Sequence, residues 1–186
     1  MSAQRDVAVI VGSLRKGSFN RMMAHNLAEL APAALKLEIV EIRDLPLYDQ
    51  DLDESPPPPW APFRERIRRA DAVLFVTPEY NRSVPGALKN AVDVASRPYG
   101  HSAWNGKPAG VISVAPGAIG GFGANHALRQ SFVFLNMPCM PQPEAYVGGA
   151  ATLFDEQGRI KVDGTRRFVQ LFMEAFAAWV EVHQHS

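Results

Sequence analysis

A three-layer α/β sandwich, built on a five-stranded parallel sheet in the order 2-1-3-4-5, is the fold this 186-residue sequence predicts. Three observations predict it. Short apolar, β-branched runs alternate with stretches of helical periodicity, which implies parallel strands covered by helices on both sides. The clearest of those runs carry no polar interruption, as strands buried on both faces require. The alternation yields five strands, which suits the order 2-1-3-4-5 better than a six-stranded dinucleotide fold. The chain has no internal repeat and no second hydrophobic core, so residues 1–186 read as one domain.

The elements follow in order. Residues 7–11 (VAVIV) form the first strand, which stops at Gly12. Over 18–31, Met23, Leu27, Leu30 and Ala31 recur at helical spacing. Residues 37–42 are the second strand. Residues 44–62 are a long loop whose consecutive prolines, Pro56 to Pro59, favour an extended spacer. Residues 63–69 make a short basic helix, and 72–76 (AVLFV) the third strand. Pro85 suits the first turn of the next helix, with Leu88, Ala91, Val92 and Ala95 as its buried stripe. Lys107 and Pro108 lead into the fourth strand, 109–114. A glycine-rich loop, 117–123, precedes a helix over about 124–137, which Pro138, Pro141 and Pro143 end. Residues 145–147 are a short fifth strand. Phe168, Phe172, Ala175, Phe176 and Trp179 give the last helix its apolar face.

Composition excludes several functions. Lysine plus arginine and aspartate plus glutamate both number 19, so no bulk charge draws the chain to nucleic acid or an anionic membrane. The apolar run before Gly12 is too short for a signal-peptide core, and no segment approaches a membrane span. Cys139 is the single cysteine, which excludes an intrachain disulfide and a C-x-x-C redox pair. A cytoplasmic protein is the expectation.

In a doubly wound sheet, ligands bind beyond the carboxyl ends of the strands. The loops after strands one, three and four read SLRKGSFN, TPEYNRSVPG and APGAIGGFG. The first offers hydroxyls at Ser13 and Ser18, a guanidinium at Arg15, an amide at Asn20 and the free N–H groups of a helix start. Together these make an anion site. A plainer role is open to two of them: Ser18 as a helix cap and Arg15 as a solvated charge. Gly12 to Gly17 imitates a P-loop, but Ser18-Phe19 stands where lysine and Ser/Thr are required. No G-x-G-x-x-G motif is present, and the loop has no cysteine for a phosphatase. A monophosphate held by hydroxyls, one arginine and backbone amides remains.

These residues resemble the NADPH-dependent FMN reductase family of flavodoxin-like proteins, which includes quinone, chromate and azo reductases. GSLRKGSFN, TPEYNRSVPGALKNAVD and the W-x-G-K-P that precedes SVAPGAIGG carry the resemblance, over residues 7–147. It implies that Ser13, Arg15, Ser18 and Asn20 hold the FMN phosphate. It implies that Pro78, Glu79, Tyr80 and Asn81 line the isoalloxazine and ribityl chain, and that Ser113 and Gly117 border the ring. The implied activity is hydride transfer from NADPH or NADH through FMN to quinone, chromate, azo or flavin acceptors, by a ping-pong mechanism.

Such chemistry needs no protein nucleophile, because the cofactor carries it. No catalytic residue and no metal is therefore expected. Residues 49–54 imitate a calcium loop, but Glu54 occupies the position of the turn glycine. The five histidines have no zinc-ligand spacing. His101 and Trp104 offer a wall for the flavin, with packing the plainer role, and Arg97 and Arg129 offer charges for a nicotinamide phosphate. A homodimer or tetramer is expected from the apolar decoration of the long loop (Leu45, Leu47, Tyr48, Leu52), from the apolar helices and from the resemblance. Two other classes stand beside the enzyme: a flavodoxin-type electron carrier, which a strongly acidic chain would suit better, and a non-catalytic phosphate-ligand binding protein.

Overall fold

The computed structural model describes residues 4–184. Its elements are β1 (Arg5–Val11), α1 (Phe19–Leu30), β2 (Leu35–Val40), α2 (Trp60–Arg69), β3 (Ala72–Thr77), α3 (Gly86–Ala95), β4 (Ala109–Val114), α4 (Phe122–Phe134), β5 (Ala145–Val147) and α5 (Asp163–His183). All strand pairs are parallel, in the order β2-β1-β3-β4-β5. This is the predicted sheet.

Side chains alternate across a strand, and each central strand feeds two cores accordingly. Val7, Val9 and Val11 of β1 join Leu74, Val76, Ile112 and Val114 under α1 and α5. Ala8 and Ile10 join Val73, Phe75 and Val111 under α2, α3 and α4. The second face is rich in aromatics. Phe75 lies 4.8 Å from Phe132 and 5.7 Å from Trp104, ring centre to ring centre. Full burial of side chains this size contributes about 1.5–3 kcal/mol each.

Among the boundaries that differ from the reading above, those of β2 and α2 have clear physical reasons. Only Leu35 of β2 is fully buried, because β2 is an edge strand with one covered face. Its alternating LKLEIV starts before the apolar run that the eye picks out. Helix α2 begins at Trp60, not Phe63: Trp60 is fully buried, and Pro62 falls in the first turn, where proline is tolerated.

The long loop after β2 is held against the protein. Tyr48 donates its hydroxyl to Asp53 at 2.9 Å, and Arg64 of α2 reaches the same carboxylate at 3.5 Å while lying over the Trp60 ring. Asn90 of α3 accepts from the Tyr48 N–H and donates to the carbonyls of Leu45 and Pro46. Leu45, Tyr48 and Leu52 therefore pack on the second core, and only Leu47 of that apolar set projects outward. Of the apolar side chains on which the expected self-association drew, this loop leaves Leu47 outside.

Candidate functional site at the carboxyl edge of the sheet

The loops after β1, β3 and β4 converge because their strands are adjacent. The Gly12 N–H donates to the Val76 carbonyl at 2.8 Å. A Cβ at Gly12 would stand 2.9 Å from Leu88 and 3.0 Å from the Thr77 hydroxyl, so this close approach requires glycine.

The first loop then turns into α1. Ser18 is the N-cap, and its Oγ accepts from the Arg21 N–H at 3.2 Å. The plainer reading of Ser18 is thus correct, although its O–H remains free to donate. The N–H groups of Phe19 and Asn20 stand in the first turn, where no intrahelical carbonyl can take them. Ser13 is buried and makes no side-chain hydrogen bond among the described residues. Arg15 is exposed and has no ion pair among them. Asn20 is buried, and its Nδ2 donates to the Val114 carbonyl at 3.1 Å, tying the start of α1 to the end of β4. Arg21, in contrast, is committed to Glu41 through two bonds of 2.7 and 2.8 Å, which hold the Glu41 carboxyl below its ordinary range. The loop keeps one uncommitted guanidinium, at Arg15.

The second loop is a tight hairpin. Tyr80 and Ser83 exchange backbone bonds of 3.1 and 3.0 Å, with Asn81 and Arg82 both at positive φ between them. Asparagine favours that conformation by its local hydrogen bonding. Pro78 is buried, whereas Tyr80 and Asn81 are exposed at the edge. Glu79 turns its side chain inward. Its Oε2 accepts from the Ala124 N–H at 3.1 Å, capping α4, and its Oε1 accepts from Arg82 at 3.4 Å. The carboxylate sits at the positive end of the helix. Gly123 admits this contact, since a Cβ there would lie 2.6 Å from the Arg82 carbonyl. Only the backbone of Glu79 is left for a ligand.

In the fourth loop Gly117 is exposed, but Ser113 is not in the loop. It belongs to β4 and is fully buried. Its hydroxyl donates to the Ala145 carbonyl at 3.3 Å and accepts from Asn125 at 3.4 Å. The strand places Ser113 toward α4, so its side chain is spent inside the protein.

Four other sequence candidates fall elsewhere. Trp104 is fully buried, donates to the Val92 carbonyl at 2.9 Å and lies, with His101, before β4 at the amino edge. Neither residue can wall a site at the opposite edge. Arg97 lies over the Tyr48 and Tyr99 rings. Arg129 is turned inward to Asn125 and the Met140 carbonyl, both at 2.9 Å.

Two features have no signal in the sequence. The guanidinium of Arg43, beyond β2, donates to the Leu14 carbonyl and tethers the first loop. Beside the glycine loop, Phe122, His126 and Tyr146 form an aromatic cluster, with His126 Nε2 2.7 Å from the Tyr146 hydroxyl. Burial, then the neighbouring Glu144 carboxylate, push the Tyr146 phenol up to about 12. Among the described residues no three His, Cys, Asp or Glu side chains gather as metal ligands, and no helix is long and apolar enough to cross a membrane.

Residues 5–152 match the NADPH-dependent FMN reductase family. The chain is 65% identical over 185 residues to a quinone reductase of Pseudomonas putida, covering 99% of both chains. It is 48% identical over 174 residues to a 2-hydroxy-1,4-benzoquinone reductase of Burkholderia sp, covering 94% of this chain and 95% of that one. Among solved structures it resembles FerB, a flavoenzyme NAD(P)H:(acceptor) oxidoreductase from Paracoccus denitrificans, with a TM-score of 0.91 and 42% identity over 96% of this chain and 98% of that one.

Proposed function

The chain belongs to the NADPH-dependent FMN reductase family, FMN-dependent oxidoreductases with NAD(P)H as donor, and on that premise we infer that it passes electrons to quinones. The observation that carries the site assignment is the first loop, where a buried Ser13, an uncommitted Arg15 and two free helix N–H groups meet at one edge. This donor set fits a phosphate monoester. Ser13, Arg15 and the Ser18 hydroxyl would hold the phosphate of FMN, with Asn20 beside them. The backbone of 78–81 and the loop at Gly117 would line the ring, and their N–H groups would offset negative charge on it.

Held there, FMN would supply two-electron redox chemistry between a nicotinamide and an acceptor. The protein holds and orients; none of its side chains serves as a required general base. Donor and acceptor use the same open edge in turn, so turnover is ping-pong. The protein works in the cytoplasm as a homodimer or tetramer.

Steady-state oxidation of NADPH and NADH, run against quinones, chromate, azo dyes, free FMN and oxygen, tests this reading. Quinones should give the highest kcat/KM, and double-reciprocal lines at several quinone concentrations should be parallel. Intersecting lines would point to a ternary complex. Changing any histidine to Asn should leave flavin reduction within about tenfold, or ~1.4 kcal/mol of barrier.

A further inference from the structure

Asn20 is only 3% exposed, and its amide orientation is fixed. Nδ2 donates to the Val114 carbonyl. A carbonyl only accepts, so the nitrogen must face Val114 and the oxygen must face away. Oδ1 is buried without a partner among the described residues. An unpaired buried acceptor is costly, and a ligand that brings a donor recovers that cost. The amide stands where the start of α1 meets the end of β4, between two of the three converging loops.

A phosphate dianion carries acceptors alone and has nothing to give Oδ1. The ribityl chain of FMN carries hydroxyls between phosphate and ring. We propose that Asn20 Oδ1 accepts a hydrogen bond from a ribityl hydroxyl, so that Asn20 reads the polyol chain of the cofactor rather than its phosphate. The proposal rests on FMN lying along these loops as inferred above. The second N–H of Nδ2 supplies the rival: it could donate to a phosphate oxygen. The two differ in which part of the ligand Asn20 senses.

Fluorescence titrations of FMN, riboflavin and lumiflavin separate them. Riboflavin lacks the phosphate, and lumiflavin lacks the polyol as well. At pH 8 the phosphate is a dianion, which removes a protonated phosphate as the donor. Asn20→Ala should weaken FMN and riboflavin by the same factor, about five- to tenfold, and leave lumiflavin unchanged. Arg15→Ala should weaken FMN alone. A loss for Asn20→Ala confined to FMN, or equal for all three ligands, overturns the assignment. If the wild type binds FMN no more tightly than lumiflavin, the flavin reading fails and takes this proposal with it. The wild type gives a second measure that does not depend on a variant folding. The Asn20 side-chain amide resonance should move with riboflavin and stay in place with inorganic phosphate, and the reverse pattern overturns the proposal.

Discussion

Arg15 carries the first loop's one uncommitted guanidinium, and its substitution isolates that group's contact with the phosphate. Arg15→Ala should cost about 1.5–3 kcal/mol of FMN affinity, the range of a hydrogen bond to a charged group, and leave riboflavin nearly untouched; equal losses for both ligands by fluorescence titration would sink the assignment. The cluster Ser13, Arg15, Ser18 and Asn20 is legible in the sequence, because a polar loop between a buried strand and a helix has few structural reasons to hold so many donors. The duty of each member is not. Ser18 spends its lone pair on Arg21, and Asn20 ties down to a strand 94 residues away. Arg43 has no local pattern that connects it to Leu14. Tyr146 gives a prediction at the same scale. Its folded pKa is raised from 10 to about 12, so the folded state keeps the phenol proton that the unfolded chain loses first. That contribution is complete below pH 10 and vanishes as pH climbs through 12. Urea midpoints measured from pH 9 to 12 should fall less steeply for Tyr146→Phe than for the wild type, and parallel slopes would contradict the assignment.

At the scale of elements, the site depends on the 80–83 hairpin docking on the start of α4. Glu79 caps that helix and Gly123 lets the hairpin's carbonyl approach. Gly123→Ala forces a Cβ to within 2.6 Å of the Arg82 carbonyl, so hairpin and helix must separate. The overpacking should cost about 1–3 kcal/mol of stability by chemical denaturation and loosen the edge where the ring would lie. Wild-type stability in this variant would show that the contact is not close. Strands β4 and β5 are legible to the residue, since turn-formers bound them, and the edge strand β2 is not, since one exposed face breaks its apolar run. Helix α4 starts two residues before the periodicity does, and its first turn is capped by Glu79, which accepts from the Ala124 N–H 45 residues later. Long-range caps of this kind leave no mark in a local pattern.

For the whole molecule, sheet order and the placement of helices are legible because alternation and handedness leave few topologies. Which surface meets another copy is not. The sequence directs attention to the proline-rich loop, but a buried Arg64 and a bridging Asn90 fold that loop inward. The loop leaves one large apolar side chain outside, Leu47, whereas Tyr99, Val133 and Phe134, 80%, 83% and 73% exposed, lie together elsewhere. Phe134 and Leu135 border two clefts of about 210 and 340 Å³, which they share with Ser96 and Arg97 at the end of α3. A projecting ring beside a recess is what a two-fold contact needs, since the same patch must serve as both knob and hole. Apolar side chains grouped this way mark association surfaces on soluble proteins, and a chain with zero formal net charge has no repulsion to hold copies apart. A homodimer joined through the ends of α3 and α4 is therefore expected at micromolar concentration. Phe134→Glu places a carboxylate on each side of the axis and should shift sedimentation velocity to the monomer mass while leaving the far-ultraviolet spectrum unchanged. A wild type that sediments as a monomer with FMN present, or a Phe134→Glu protein that remains a dimer, would remove this surface from consideration.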